Sequence, residues 1–230
     1  MKKIPTLFKR VFDENHNKAI TREVTPGCEV VLEGKTTATV KYDGACCAII
    51  NGEIYRRYDA KQRYGKKPPE GAIPCQPEPD PITGHWPHWV KCVEGNPQDR
   101  YFLEAFNRSK TAILSVLHFD KEKPNGGLEY GKAYTTEAIG PHWQSNPYAN
   151  DGVDEDQLVL HGRHIISNKQ ISDKNGNITF DSIREFLDKF RWGHIRPHAI
   201  EGLVFWYKGE PLCKIKRTDF GFDWPIKGNN

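Results

Sequence analysis

No apolar run in this 230-residue chain is long enough to cross a bilayer, and Met1-Lys2-Lys3-Ile4-Pro5 leads into further charged residues, not an apolar core. Neither a transmembrane helix nor a secretory leader is expected. Cysteine is sparse, with six residues at Cys28, Cys46, Cys47, Cys75, Cys92 and Cys213. That is too few to build a disulfide scaffold, so reduced thiols in the cytoplasm or another reducing intracellular compartment are expected. Excess charge is also lacking: 33 basic against 30 acidic residues leave a net +3. Any case for nucleic acid must therefore rest on local charge and on motifs. There is no internal repeat or low-complexity tract. His142, His161, His164, His194 and His198 form no triad spacing with serines or acids, which leaves each as a local hydrogen-bonding residue.

The patterning that is present suits one globular domain over residues 1–230, monomeric and with no membrane role. Ala45 to Ile50 and Glu53 to Tyr58 flank Asn51-Gly52, which supplies the positive φ angles of a two-residue hairpin turn. A second hairpin runs from Gly202 to Tyr207, turns near Lys208-Gly209, and returns from Leu212 to Lys216. Further strands are expected at Glu29 to Glu33, Thr37 to Lys41, Ala112 to Phe119 and Leu158 to Ile166. A helix is expected from Ser182 to Phe190, with Ser182 and Glu185 at capping-box spacing and Ile183, Phe186, Leu187 and Phe190 on one face. Eight of the sixteen prolines lie between Lys66 and Gln98. They predict a long ordered loop at about 66–98, anchored by Ile82, Trp86, Trp89 and Val90, with no regular helix or central strand. The sum is an α+β fold of antiparallel β-sheets with flanking helices.

The residues with the most chemistry are Thr39-Val40-Lys41-Tyr42-Asp43-Gly44, at a strand end. A lysine amine attacks phosphorus only when neutral, and such an attack needs cations for the oxyanions and the leaving pyrophosphate. Downstream stand Glu201-Gly202-Leu203-Val204 and Cys213-Lys214-Ile215-Lys216. The strand period of two puts Lys214 and Lys216 on one face, and the hairpin brings that face near Glu201. A carboxylate and two ammonium groups at one sheet end suit a metal–nucleotide site, although a solvated ion-pair ladder would have the same pattern.

Lys-x-Asp-Gly, Glu-Gly-Leu-Val and Lys-x-Lys, in this order, resemble motifs I, IV and V of the covalent nucleotidyltransferases: DNA ligases, RNA ligases and mRNA capping enzymes. Within that superfamily the chain is most similar to the stand-alone 5′-3′ RNA ligases of the vertebrate type. The similarity runs through Lys41-Tyr-Asp-Gly-Ala-Cys-Cys47, Pro79-Asp-Pro-Ile-Thr-Gly-His-Trp-Pro-His-Trp89 and Glu137-Ala-Ile-Gly-Pro141 with Asn146-Pro-Tyr148. It continues through Lys214-Ile-Lys-Arg-Thr-Asp-Phe-Gly221 with Trp224-Pro225.

The resemblance implies a nucleotidyltransferase (ATP-grasp-like) ligase core without a C-terminal OB domain. By it, Lys41 would form lysyl-AMP from ATP, the backbone around Val40 would read adenine, and Arg57 would steer ribose or phosphate, with Arg56 and Arg63 as substitutes. Glu137 would bind ribose, Glu201 would position Mg²⁺ or Mn²⁺, and Lys214 and Lys216 would grip the AMP phosphate. The implied partner is RNA with 5′-phosphate and 3′-hydroxyl ends. Thr39 stands where DNA ligases usually have an acid, and Cys46 where DNA ligases and capping enzymes usually have arginine. The aromatic residue expected against adenine has no clear counterpart, His161 being the one nearby candidate.

Alternatives are a GTP-dependent capping-type enzyme and a non-catalytic module that binds RNA 5′ ends. Arg56, Arg57, Lys61, Arg63, Lys66 and Lys67, interleaved with Tyr55, Tyr58 and Tyr64, could hold a nucleic-acid backbone or simply guard a hairpin edge. Cys75, His85, His88 and Cys92 have zinc-ligand chemistry, but their irregular spacing reads more as a packed loop.

Overall fold

The computed structural model describes residues 3–12, 14, 18–61, 65–81, 83–118, 120–123, 127–149, 152–191 and 200–226. Arg63, Tyr64, Ile82, Phe119, His194 and His198, all named above, lie outside the described residues. The fold is mixed α+β with antiparallel sheets and few helices, as the hairpin patterning implies. It divides into two compact units.

The first unit is built mainly from Asp43–Ala149 and Val153–Leu160. Its strands are β4 (Ala45–Ile50), β5 (Glu53–Lys61), β6 (Ile73–Pro74), β7 (His85–Lys91), β8 (Tyr134–Ile139) and β9 (Gln157–Leu160), ordered β6-β7-β5-β4-β8-β9. Asn51 and Gly52 take φ of 53° and 82°, the turn that the Asn-Gly pair dictates between β4 and β5. The pleat sends Cys47 and Ile49 into a core with Ile54, Cys92 and the helix α1 (Arg100–Val116), while Ala48 and Ile50 pack with Trp89 in a separate cluster. Cys46 and Cys47 accordingly belong to opposite faces, and all six cysteines are free.

Two expectations fail in this unit. Ala112 to Phe119 is not a strand: residues 112–116 close α1, whose buried Phe102, Ala105, Phe106, Ile113 and Leu114 recur at helical spacing. The dense apolar end of that stripe masks its period when taken alone. The Pro-rich stretch also contains regular structure, because β7 lies between β6 and β5 and contains Pro87. Cys75 N–H donates to Pro87 O at 2.9 Å. A residue's carbonyl and amide point to the same side of an antiparallel strand, so the missing proline donor faces the two-residue β6 and costs the β5 ladder nothing.

The second unit contains Ile4–Tyr42 and His161–Asn230. A four-stranded sheet is ordered β10-β3-β11-β12, from β3 (Thr37–Lys41), β10 (Ile165–Ile166), β11 (Gly202–Tyr207) and β12 (Glu210–Lys216). A two-stranded hairpin, β1 (Phe8–Phe12) with β2 (Lys18–Val24), and helices α2 (Asn168–Ile171) and α3 (Phe180–Lys189) complete it. Ala38, Val40, Leu203, Phe205, Cys213 and Ile215 form the buried sheet face. Burying residues of this size contributes about 1.5–3 kcal/mol for each large aliphatic or aromatic side chain.

Glu29–Val31 forms a 3-10 turn where a strand was expected, with Val31 N–H bonding Cys28 O at 3.1 Å and Val31 fully buried. Three adjacent apolar residues do not distinguish these outcomes by periodicity. Leu158 to Ile166 is interrupted, with Gly162 at φ 76° in the turn between β9 and β10. The cap of α3 is Thr179 with Ser182, three residues earlier than Ser182 with Glu185: Ser182 N–H donates to Thr179 Oγ1 at 3.1 Å and Thr179 N–H donates to Ser182 Oγ at 2.8 Å.

Candidate functional site

In the second unit, Gly202 on β11 pairs with Lys41 on β3 and with Lys216 on β12, so these three residues form one row across the sheet. The adjacent row is Thr39, Val204 and Lys214. Since Val40, Leu203 and Ile215 point into the core, strand alternation places Lys41, Lys214 and Lys216 on the opposite face. The polar and apolar faces therefore arise from one pattern, and the polar one is the candidate site.

Gly202 is needed at the centre of its row. A Cβ there would stand 2.0 Å from Ile215 O and 2.8 Å from Lys216 Cα, too close for any side chain. Just before it, Glu201 is 2% exposed. Lys41 Nζ donates to Glu201 Oε2 at 2.5 Å and to Tyr42 O at 3.2 Å, while Lys216 Nζ donates to Glu201 Oε1. Both carboxylate oxygens are thus engaged by ammonium groups, which is what keeps a buried acid tolerable. Arg217 N–H donates to Glu201 O at 2.8 Å and fixes the backbone from which this carboxylate projects.

Among the described residues Lys214 has no acid within ion-pair distance. Burial, then the charges of Lys41, Lys216 and Arg10, pull its ammonium down from 10.5 to about 8, with Glu201 opposing. It is therefore a cation held in a cationic environment, suited to an anion that restores the balance. Val40 N–H donates to His164 O at 2.9 Å. Tyr42 Oη and His164 Nδ1 lie 2.8 Å apart; burial raises the phenol's pKa, while burial and Arg163 lower that of the imidazole. Trp206 Nε1 donates to Thr39 Oγ1 at 2.9 Å, and the indole edge packs against Gly162.

Arg57 and Glu137 lie in the first unit. Glu137 on β8 pairs with Cys46 on β4, and its Oε1 accepts from Gly44 N–H at 3.2 Å. Tyr148 Oη accepts from Asp43 N–H at 2.6 Å, fixing the other side of this turn. Burial and the Glu137 charge push the Cys46 thiol up to about 12, with Arg57 opposing, so the acid and the guanidinium both sense this position. Arg57 also donates to Asp59 Oδ1 at 3.0 Å. Arg56, the substitute weighed for Arg57, is committed elsewhere: its Nε donates to Asp99 Oδ1 at 2.7 Å, and Asp99 is 1% exposed beside the start of α1.

The basic run is correspondingly divided, with Arg56 and Arg57 both ion-paired to acids. Cys75 and Cys92 pack in separate clusters, and among the described residues Cys75, His85, His88 and Cys92 form no metal-binding group. The local role expected of the histidines holds at His164, and at His142, whose Nδ1 is 2.6 Å from Asp156 Oδ2.

Two residues with a place in this site escaped sequence reasoning. Asp219 Oδ2 accepts from Lys216 N–H at 2.9 Å, and its Oδ1 accepts from Arg10 Nη2 at 2.9 Å. Asp219 lies in the stretch Lys214–Gly221 that carries the resemblance but has no role there; nothing local connects Arg10 to it or to Lys216. Among the described residues no helix is long and apolar enough to cross a membrane. The chain matches no protein-family model, and no curated protein is similar to it.

Proposed function

We propose that the chain is an ATP-dependent RNA ligase with a nucleotidyltransferase core, in which Lys41 carries AMP as a covalent intermediate. The observation that supports this best is the row Lys41–Gly202–Lys216, with both lysines on the two oxygens of buried Glu201. An ordinary surface ladder would pair exposed charges one to one, at little energetic gain. Here one buried acid serves two lysines, and a third lysine beside them has its charge disfavoured.

In the first step the neutral Lys41 amine forms an N–P bond to the α-phosphorus of ATP as the bond to the β-phosphate oxygen breaks and pyrophosphate departs. Nζ gives up one proton to solvent before that bond forms, and a second, to solvent or the departing pyrophosphate, as the phosphoramidate N–H is left. Lys216 and Lys214 are the cations for the phosphate oxygens. An oxygen of an RNA 5′-phosphate then bonds to the adenylyl phosphorus as the Lys41 N–P bond breaks and the amine is regenerated. A 3′-hydroxyl, losing its proton to solvent, attacks the RNA 5′-phosphorus to form the phosphodiester as AMP departs. Glu137 and Arg57 would contact ribose or phosphate.

Mg²⁺ or Mn²⁺ fits Glu201 as a single protein carboxylate, since Mg²⁺ takes one or two protein carboxylates with phosphate oxygens and water. Among the described residues no group of three ligating side chains includes Glu201, so the protein offers no cage of its own. When bound, the ion would offset phosphate charge.

The test is incubation with α-labelled ATP or GTP and a divalent ion, followed by ligation of RNA with 5′-phosphate and 3′-hydroxyl ends. Labelling by ATP with sealing supports the reading. Labelling by GTP alone makes the chain a capping-type enzyme, and RNA binding with neither label nor sealing makes it a binding module.

A further inference from the structure

The β1–β2 hairpin lies outside every motif that carries the functional reading, yet it is fastened to the site. Thr6 bridges Lys214, Leu7 N–H donates to Lys214 O at 2.8 Å, and Lys214 N–H donates to Pro5 O at 3.0 Å. The hairpin is held from its other side by Thr25 N–H to Leu7 O at 2.8 Å, by Phe8 against Phe180 at 4.9 Å, and by Arg22 with both oxygens of Asp181 at 2.7 Å. Arg10 on β1 is thereby brought to Asp219, which also holds the Lys216 backbone.

The Arg10–Asp219 pair does not use up the guanidinium. Arg10 Nη2 bonds the carboxylate, its side chain is 30% exposed, and its buried Nε has no hydrogen-bond partner among the described residues. A buried unsatisfied donor costs about 1–3 kcal/mol. Around this point Arg10, Lys41, Lys214 and Lys216 face two carboxylates, Glu201 and Asp219. Among the described residues this cluster carries four cations to two carboxylates.

We propose that Arg10, held by Asp219 beside Lys214, forms a second phosphate subsite that takes the terminal phosphates of the nucleoside triphosphate. The inference rests on the nucleotidyltransferase reading of Lys41. Lys216 shares its carboxylate with Lys41 and so belongs to the phosphate under attack. Lys214 stands two residues back along β12, about 7 Å away at the strand rise, and its ammonium feels the Arg10 charge. A planar guanidinium presents a fork that matches two phosphate oxygens, which a lysine does not. The subsite would hold pyrophosphate as the N–P bond forms and release it afterwards.

The experiment compares full-length wild type, Arg10→Gln and Arg10→Lys. Tripolyphosphate binding is measured calorimetrically, Lys41 adenylylation at subsaturating ATP, and sealing with a pre-adenylylated RNA. Arg10→Gln is expected to bind tripolyphosphate at least about tenfold more weakly, the loss of one charge-assisted hydrogen bond. Its apparent ATP requirement should rise by a similar factor, Arg10→Lys should fall between, and sealing should be little changed. Unchanged tripolyphosphate binding overturns the proposal, and so does a loss confined to sealing, which would assign Arg10 to the RNA end. Should Arg10→Gln lose its cooperative melting, arginine modification of the wild type decides: tripolyphosphate protection of Arg10 supports the subsite, and no protection overturns it. A wild type that binds tripolyphosphate through Arg10 but takes no label from ATP retains the anion site and refutes the nucleotidyltransferase reading instead.

Discussion

Lys216 reaches the same carboxylate as Lys41, across a glycine that pairs with both. Glu201 is consequently an electrostatic hinge between the proposed nucleophile and one of its phosphate-binding partners. Because the carboxylate is buried and doubly paired, removing its charge leaves two ammonium groups without their acid.

Glu201→Gln keeps the shape and removes the charge. Breaking a buried ion pair by removing one partner costs about 3–5 kcal/mol, so the melting temperature should fall markedly. Adenylylation by ATP should fall as well, and added divalent ion should not restore it. Thermal melts and label incorporation across a metal titration check both. Full rescue at high metal concentration would contradict the role given to Glu201.

Gly202→Ala should damage the site without touching any charged group. Its Cβ would meet Ile215 O at 2.0 Å, a contact with backbone that no rotamer can relieve. Overpacking of this kind costs about 1–3 kcal/mol. Denaturant unfolding should show the loss, and the adenylylation rate per folded molecule should drop because Lys41 and Lys216 are forced out of register.

Lys214→Met should separate stability from function. The Lys214 ammonium lies at about 8 in the fold against 10.5 ordinarily. The unfolded chain therefore binds the proton more tightly, and stability from this residue rises with pH between those values. At about 1.4 kcal/mol per pKa unit the penalty at neutral pH is at most on the order of 3 kcal/mol, less after solvent screening. Lys214→Met should be more stable than wild type at pH 7, with the difference fading toward pH 10.5, yet much poorer in adenylylation. The apparent ATP affinity of wild type should weaken as pH climbs through about 8, a step missing from the variant.

Arg56→Ala and Arg57→Ala should differ in kind. Arg56 ties β5 to buried Asp99, so its loss removes the acid's cation, leaves it the Val93 N–H and Asn96 donors, and should cost about 3 kcal/mol of stability, with activity per folded molecule retained. Arg57 pairs with the part-exposed Asp59. Its loss should affect the melt far less and the adenylylation rate more. Equal kinetic effects would contradict the nucleotide contact proposed for Arg57.

Much of the candidate site was legible because its residues lie on strands with a firm period. Asn51-Gly52 and Lys208-Gly209 fix two registers, and the alternation of Lys214 and Lys216 places both on one face before any coordinates are known. The helix α1 was misread because residues 112–116 are densely apolar, and its period emerges only when the stripe is followed back to Phe102. The proline-bearing β7 was missed because tolerance of Pro87 depends on which neighbour its absent donor faces, and that is a tertiary fact. Arg10 had no local signal at all. Its place beside Lys214 and Asp219 is set by pairing over some 200 residues of chain, as the 209-residue separation of its ion pair records.

The most direct test of Lys41 as the nucleophile is peptide mapping after incubation with ATP and Mg²⁺ or Mn²⁺, using protein first freed of bound AMP by pyrophosphate. The account predicts a mass increase of one AMP on the peptide bearing Lys41, labile to acid and stable to alkali, and absent from Lys41→Ala. An AMP adduct on any other residue, or none on wild type, would contradict it.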